Sequence, residues 1–255
     1  MNKIGLKLWN INTDYYYDAA KELYNEGIFD YIELYVVPGH TDLIDKWKKL
    51  NIPFDIHAPH FAHSMNLSKV EYKEDNYKKY IEVKEYADEL NADIIVFHGG
   101  IGGDYKETAE QIKSFNDSRI LIENKPIRPL KSINGELCVG AKFDELKYII
   151  DKSNCKFCLD IGHAVCSANS QNCNPYDYIK LLVSLNPLRI HLSDIHIDSL
   201  MDEHLNYGEG NLDFRKVLNI IPNNINITIE TNKSSKSNLD DYARDARFLR
   251  DVLRT

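Results

Sequence analysis

The sequence predicts an α/β fold, a (β/α)8 TIM barrel in a single domain over residues 1–255, and three observations predict it. Eight apolar, β-rich runs alternate with segments of helical periodicity, the full complement of a closed parallel barrel. The length suits one such barrel without a second core. Residues able to bind metals recur at or just past the ends of six of the runs, where this architecture builds its active face.

In chain order the strand runs are KIGLKLW (3–9), DYIELYV (30–36), PFDIHA (53–58), DIIVFH (93–98), RILIEN (119–124), KFCLDI (156–161), LRIHLS (188–193) and NITIET (226–231). Helices are expected over 15–26, 70–90, 106–115, 143–152, 176–185, 214–221 and 239–253. The first has Asp14 as its N-cap and Gly27 as its stop. The long second one repeats Tyr77, Ile81, Val83 and Tyr86 at helical spacing. A doubly wound open sheet is the competing architecture, but it needs a glycine-rich phosphate turn early, and NINTDYY after the first run has no glycine. HGGIGG at 98–103 follows the fourth strand, lacks the rest of that fingerprint, and reads as a flexible rim loop.

No apolar run approaches a membrane span, and MNKIGLKLWN enters a strand without a signal-like block. The five cysteines are odd in number, so a cytoplasmic, reduced protein is expected. Cys155 and Cys158 form a lone C-x-x-C and read as ordinary strand cysteines. The net charge of −8 argues against a nucleic-acid partner, although a local basic patch or bound cations would change that balance. No segment specifies an oligomer.

Nine residues carry the functional argument: His57, His98, Glu123, Asp160, His163, His191, Asp202, His204 and Glu230. A carboxylate buried at a strand end costs several kcal/mol unless a partner or a metal compensates it. Singly, each has a plainer reading: a strand histidine is usually a satisfied rim residue, and D-x-x-H at 160–163 suits a loop hydrogen bond. Together they occupy equivalent places in the topology, which points to a metal enzyme. Mixed imidazole and carboxylate donors suit zinc, manganese or iron better than magnesium or calcium. His60, His63 and His196 are expected as supporting donors, His40 as an exposed helix start. Lys125 and Arg128 follow Glu123 closely enough to hold an anionic or carbonyl oxygen. Arg244, Arg247, Arg250 and Arg254 read as a solvated outer helix face.

The segments IHAPH, FHGG, IEN, LDIGHA, IHLSD, DEH…GEGNLDF and IET resemble the xylose isomerase-like barrel superfamily, which includes sugar isomerases, sugar epimerases and endonuclease IV. The resemblance to endonuclease IV implies three zinc ions on the nine residues above. The resemblance to the mononuclear isomerases and epimerases implies one ion on Glu123, Asp160, His191 and Glu230, with the two glutamates moving protons between sugar carbons. Glu123-x-Lys125-Pro126 is similar to the Glu-x-Lys-Pro of xylose isomerase, which implies that Lys125 contacts the sugar carbonyl oxygen. The chain departs from endonuclease IV at Lys125-Pro126-Ile127-Arg128 and in PHFAHSMNL, where no DNA-wedging Tyr-Leu pair stands. It also lacks the arginine that ketose 3-epimerases place after the ligand histidine, reading LSDIHI after His191. The favoured expectation is therefore a divalent-metal enzyme, using zinc or manganese in one to three ions. It would isomerise or epimerise a small sugar or sugar phosphate, with Glu123, Glu230 and Lys125 catalytic. The alternatives are a zinc phosphodiesterase acting on abasic DNA and a silent barrel that serves as a binding protein.

Overall fold

Period-two alternation divides every strand between two environments. The computed structural model describes residues 2–129 and 136–254, so 130–135 and the two terminal residues of the predicted domain lie outside the described residues. The strands are β1 (Ile4–Trp9), β2 (Tyr31–Tyr35), β3 (Phe54–His57), β4 (Ile95–His98), β5 (Ile120–Glu123), β6 (Lys156–Asp160), β7 (Arg189–Leu192) and β8 (Asn226–Ile229). They pair in parallel and in sequence order, and β8 returns to β1 to close the barrel. All eight predicted runs are strands, with ends shifted by a few residues at most.

One set of strand residues faces outward into the main core: Leu6, Leu34, Ile56, Phe97, Ile122, Leu159, Ile190 and Ile229 are all buried there. Fully burying each such side chain stabilises the fold by about 1.5–3 kcal/mol. The alternate set fills the barrel and is chemically different. Val96, Leu121 and Cys158 form a small separate apolar cluster inside it. The next inward residues along those strands are His98, Glu123 and Asp160, so the apolar layer is the floor beneath them.

The helices described are α1 (Thr13–Asn25), α2 (Ile44–Lys48), α3 (Lys73–Glu89), α4 (Tyr105–Phe115), α5 (Phe143–Ser153), α6 (Ile161–Ser170), α7 (Pro175–Val183), α8 (Phe214–Ile220) and α9 (Asp240–Arg254). Capping explains several starts: Asp104, Asn174 and Asp213 accept backbone N–H groups of α4, α7 and α8, and Pro175 opens α7. Two helices were not expected. α2 is too short to show a period, and α6 is buried from Ile161 through Ala168, so it has no polar face to reveal one. α1 begins at Thr13, which puts Asp14 in its first turn and not at the cap. In α3 the buried face is Asn76, Tyr80, Val83, Tyr86 and Ala87, whereas Tyr77 and Ile81 of the expected stripe are exposed.

Four further expectations are corrected. HGGIGG is a pinned loop: Asn66 exchanges hydrogen bonds with the main chain of Ile101, and Val139 N–H donates to Gly100. Its glycines are needed for close approach, since a Cβ on Gly103 would lie 2.0 Å from the Ser68 carbonyl oxygen. His40 heads the short 3-10 turn Thr41–Leu43 but is half-buried, its carbonyl accepting from the Tyr86 hydroxyl. Cys158 is a buried strand residue as expected, whereas Cys155 precedes the strand. Of the α9 arginines, Arg244, Arg247 and Arg254 are exposed as expected, although Arg244 also reaches the buried Asp245, whereas Arg250 is half-buried, bonded to the Ile28 carbonyl and paired with Asp30.

The bottom of the barrel is closed by ions. Arg189 pairs with Asp55 and lies 4.8 Å from the Tyr31 ring centre, while Gly5 leaves room for that ring. Burial pushes the Asp55 carboxyl up to about 6 even with the guanidinium beside it. Removing one member of a buried pair strands the other. Arg189→Met should therefore lower unfolding stability in urea by about 3–5 kcal/mol, with Asp55→Asn in the same chain restoring part of it. A loss under about 1 kcal/mol would show that the pair does not hold the barrel floor.

Candidate metal centre

The inward register brings the nine singled-out residues to one mouth of the barrel. β3, β4, β5 and β6 end on His57, His98, Glu123 and Asp160 respectively. His191 lies within β7, and Glu230 is one residue past β8. His163 stands in the first turn of α6, because Asp160 caps that helix by accepting the His163 N–H at 2.6 Å. The D-x-x-H spacing is thus a cap that aims two side chains together. Asn124 ties the same corner, bonding both main-chain groups of Asp160.

Asp202 and His204 arrive on the long connection between β7 and α8. Asp194 shapes it by accepting N–H groups from Ile195, Gly208, Gly210 and Leu212. Gly210 is required there, since a Cβ would meet Asp194 Oδ1 at 2.5 Å. His204 itself has φ +49, a left-handed conformation that a histidine adopts at a cost of roughly 1–3 kcal/mol. Bonds from His204 Nδ1 to the Glu230 carbonyl and from Asn232 N–H to the His204 carbonyl hold it, both at 2.8 Å.

Glu123 is the hub. Its Oε2 lies 3.1 Å from His57 Nε2, 3.1 Å from His98 Nε2 and 3.3 Å from His191 Nδ1; its Oε1 lies 2.9 Å from His163 Nδ1. Tautomers follow from the other ring nitrogens. His57 Nδ1 donates to the Ala58 carbonyl at 2.7 Å, which leaves Nε2 with a lone pair facing a carboxylate. His191 Nε2 donates to Glu33 Oε2 at 2.9 Å, so its Nδ1, facing Glu123 and 3.1 Å from Glu230 Oε1, must hold a proton or a metal ion. Burial opposes the charge, but the surrounding acidic groups raise the ring well above its ordinary range, so it keeps the proton when no ion is bound. With Nδ1 of His204 spent on a carbonyl, its Nε2 faces Asp202 Oδ2 at 2.6 Å. Lone pairs facing lone pairs at these distances need a cation between them, either a proton or a metal ion. Four buried atoms of the cluster have no hydrogen-bond partner among the described residues: His98 Nδ1, His191 Nδ1, Glu123 Oε1 and Asp202 Oδ1.

Five overlapping groups have ligand atoms within 4.8 Å of one another, and three of them share out the nine residues: His57, His98 and Glu123; Asp160, His191 and Glu230; His163, Asp202 and His204. The other two, Glu33 with His57 and Glu230, and Glu123 with Asp160 and His163, cross those divisions. Each mixes imidazole and carboxylate donors, a set that fits zinc or manganese. Burial disfavours charge on His57 and His98 and lowers both, so they are held as neutral imidazoles ready to bind an ion. Glu230, despite burial, is drawn down to about 2 by His191 and Lys7.

Two charged residues of the centre escaped notice in the sequence. Lys7 Nζ donates to Glu33 Oε1 at 2.6 Å and to Glu230 Oε1 at 2.5 Å, and Glu33 is fully buried. Thr228 adds a hydroxyl to Glu33 at 2.7 Å. Both Lys7 and Glu33 were visible as lone charges at alternate positions of GLKLW and YIELY. Lys125 is buried, its Nζ 3.1 Å from His163 Nε2 and 3.8 Å from Glu123 Oε1. Above them opens a cavity of about 460 Å³ walled by Trp9, Tyr35, Phe61, Lys125, Arg128 and Lys233 among others. His60 lies on its rim, stacked on His98, and His63 bonds the Tyr35 hydroxyl at 2.7 Å; neither donates to a residue of the cluster. His196 pairs with Glu203 on the exterior and takes no part.

Without metal, His163 must share a proton with its acidic neighbours. Burial opposes its imidazolium, yet Asp160 and Asp202 prevail and push it up to about 10. A group raised in the fold contributes stability that is complete below its ordinary value near 6.5 and lost as pH rises through the folded one. The urea midpoint of chelated protein should therefore fall between about pH 7 and about pH 10. His163→Gln should flatten that fall; an unchanged slope would contradict the assignment.

The chain matches the family model of the xylose isomerase-like TIM barrel over residues 19–252. Among curated protein sequences, none matches it. It is similar to a D-tagatose 3-epimerase-like protein, with a TM-score of 0.73 and 20% identity over 99% of this chain and 97% of the other. It is similar to endonuclease IV from Thermus thermophilus, with a TM-score of 0.69 and 19% identity over 99% of each chain. A third likeness, at a TM-score of 0.68 and 18% identity over 98% and 97%, is to another Thermus thermophilus protein, soaked with zinc chloride. Identities this low establish a shared fold and no more. The family match is of another kind: it spans nearly the whole closed barrel, and the chain belongs to the xylose isomerase-like TIM barrel family.

Proposed function

We propose that this chain is a divalent-metal-dependent enzyme that isomerises or epimerises a small sugar or sugar phosphate. One observation carries the reading. Glu123 and Glu230 approach the same nitrogen, His191 Nδ1, at 3.3 and 3.1 Å, so they straddle one point at the cavity floor. Asp160 shares a ligand group with His191 and Glu230 there. A bound zinc or manganese ion supplies Lewis-acid polarisation of a substrate carbonyl at that point. Both glutamates are held ionised, the form that removes a proton from the carbon beside the carbonyl; whichever takes it can return it to the neighbouring carbon, and delivery to the other face requires the second glutamate to take up a proton from solvent first. Lys125, buried beside Glu123, donates to the oxygen that gains negative charge. The aromatic wall of Trp9, Tyr35 and Phe61 excludes water from the reacting carbons.

A second reading, hydrolysis of a phosphodiester at abasic DNA by three zinc ions, is favoured by the division of all nine residues into three ligand groups. The Lys125 ammonium weighs against it: it already stands 3.1 Å from His163 Nε2, where a third ion would bind.

Metal analysis with two assays separates them. The isomerase reading expects chelator-sensitive incorporation of deuterium from solvent into a sugar or sugar phosphate, and a loss of about 10²–10⁴-fold in Glu230→Gln. Three zinc ions per chain with nicking of an abasic duplex, and no deuterium exchange with any sugar, would replace it with the hydrolase.

A further inference from the structure

The loop that follows β8 carries a cation whose partner is missing. Lys233 lies three residues past Glu230 and lines the cavity wall. Its Nζ reaches only the Thr231 carbonyl, at 3.4 Å, and has no carboxylate partner among the described residues. The two other lysines of the cavity are different: Lys7 is clamped by Glu33 and Glu230, and Lys125 is held near Glu123 and His163. Burial pushes the Lys233 ammonium down to about 8, with Glu230 offsetting only part of that. Beside it Thr231, also on the wall, keeps a buried hydroxyl with no partner among the described residues. Arg128 lines the same cavity from the loop after β5, exposed and with no carboxylate partner among the described residues.

We infer that Lys233, with Arg128, seats an anionic group of the substrate at the cavity mouth, so that the substrate is a sugar phosphate or a sugar acid and not a neutral sugar. Three features agree. The loops after the last strands of a barrel are a common place to hold phosphate. A half-buried ammonium without a counter-ion gains from any anion that enters, and more so as water leaves the cavity. Divalent ions on the floor would deepen the need, since they add positive charge to the same space. The reacting carbons would then lie over Glu123 and Glu230, with the anion held against the cavity wall at the loop after β8.

This rests on the isomerase reading for the substrate's sugar part, but the test is an equilibrium one and stands apart from turnover. Titration calorimetry on the metal-loaded full chain would use fructose, fructose 6-phosphate, gluconate and inorganic phosphate as probes. The phosphate ester should bind at least about tenfold tighter than fructose. Lys233→Met should erase most of that preference while leaving metal content and fructose affinity unchanged, and Lys233→Arg should retain it. Gluconate binding as tightly as the ester, and equally sensitive to Lys233→Met, would assign a carboxylate as the anion. Equal affinity for fructose and its phosphate, no binding of phosphate or its ester at millimolar concentration, or a preference that survives Lys233→Met would overturn the inference. Preference without deuterium exchange keeps this inference and removes isomerisation; exchange with neutral sugars alone does the reverse.

Discussion

At the mouth of this barrel, imidazole nitrogens and carboxylate oxygens face one another at distances that need a proton or a metal ion between them. His57, His98 and His191 converge on a single oxygen of Glu123. The tautomers are imposed from outside the cluster, by the Ala58 and Glu230 carbonyls and by Glu33. A site arranged this way is repulsive until a cation fills it. The inward strand register, the Asp160 cap, the loop held by Asp194 and the left-handed backbone of His204 all serve to keep those atoms in place.

The chain supplies some of the missing charge itself. Five carboxylates, Glu33, Glu123, Asp160, Asp202 and Glu230, stand against the ammonium groups of Lys7 and Lys125. Burial pushes the Asp160 carboxyl up to about 6, a sign that the remaining negative charge is not fully compensated. Lys7 matters most here, because it bridges Glu230 to Glu33 and thereby ties the cluster to the carboxylate that orients His191. Stability and function draw on the same groups: the ions that complete the centre would also relieve the strain of holding it.

Much of this was legible because a barrel strand ends where its chemistry begins. FDIH, IVFH, ILIE and KFCLD each run apolar into a ligand-type residue, and each is a strand that stops there. What stayed hidden was of two kinds. Lys7 and Glu33 sit inside strands, where a single charge reads as noise until the opposite strand shows its partner. α6 was hidden because a helix buried on all sides has no amphipathic signature, and its first residue was absorbed into the preceding strand. The glycines of HGGIGG were misread for a related reason: the contacts that demand them, Ser68 for Gly100 and Gly103 and Val139 for Gly99, lie on distant segments.

The central claim is that the Glu123 hub is a cation site. Anomalous diffraction at the zinc edge, from crystals grown with zinc, tests it without any assumption about the reaction. A peak is expected about 2.0–2.2 Å from Glu123 Oε2 and from the nitrogens of His57 and His98, with a second at His191 Nδ1. An empty barrel mouth at saturating zinc, with Glu123 hydrogen-bonded to protonated histidines, would contradict it.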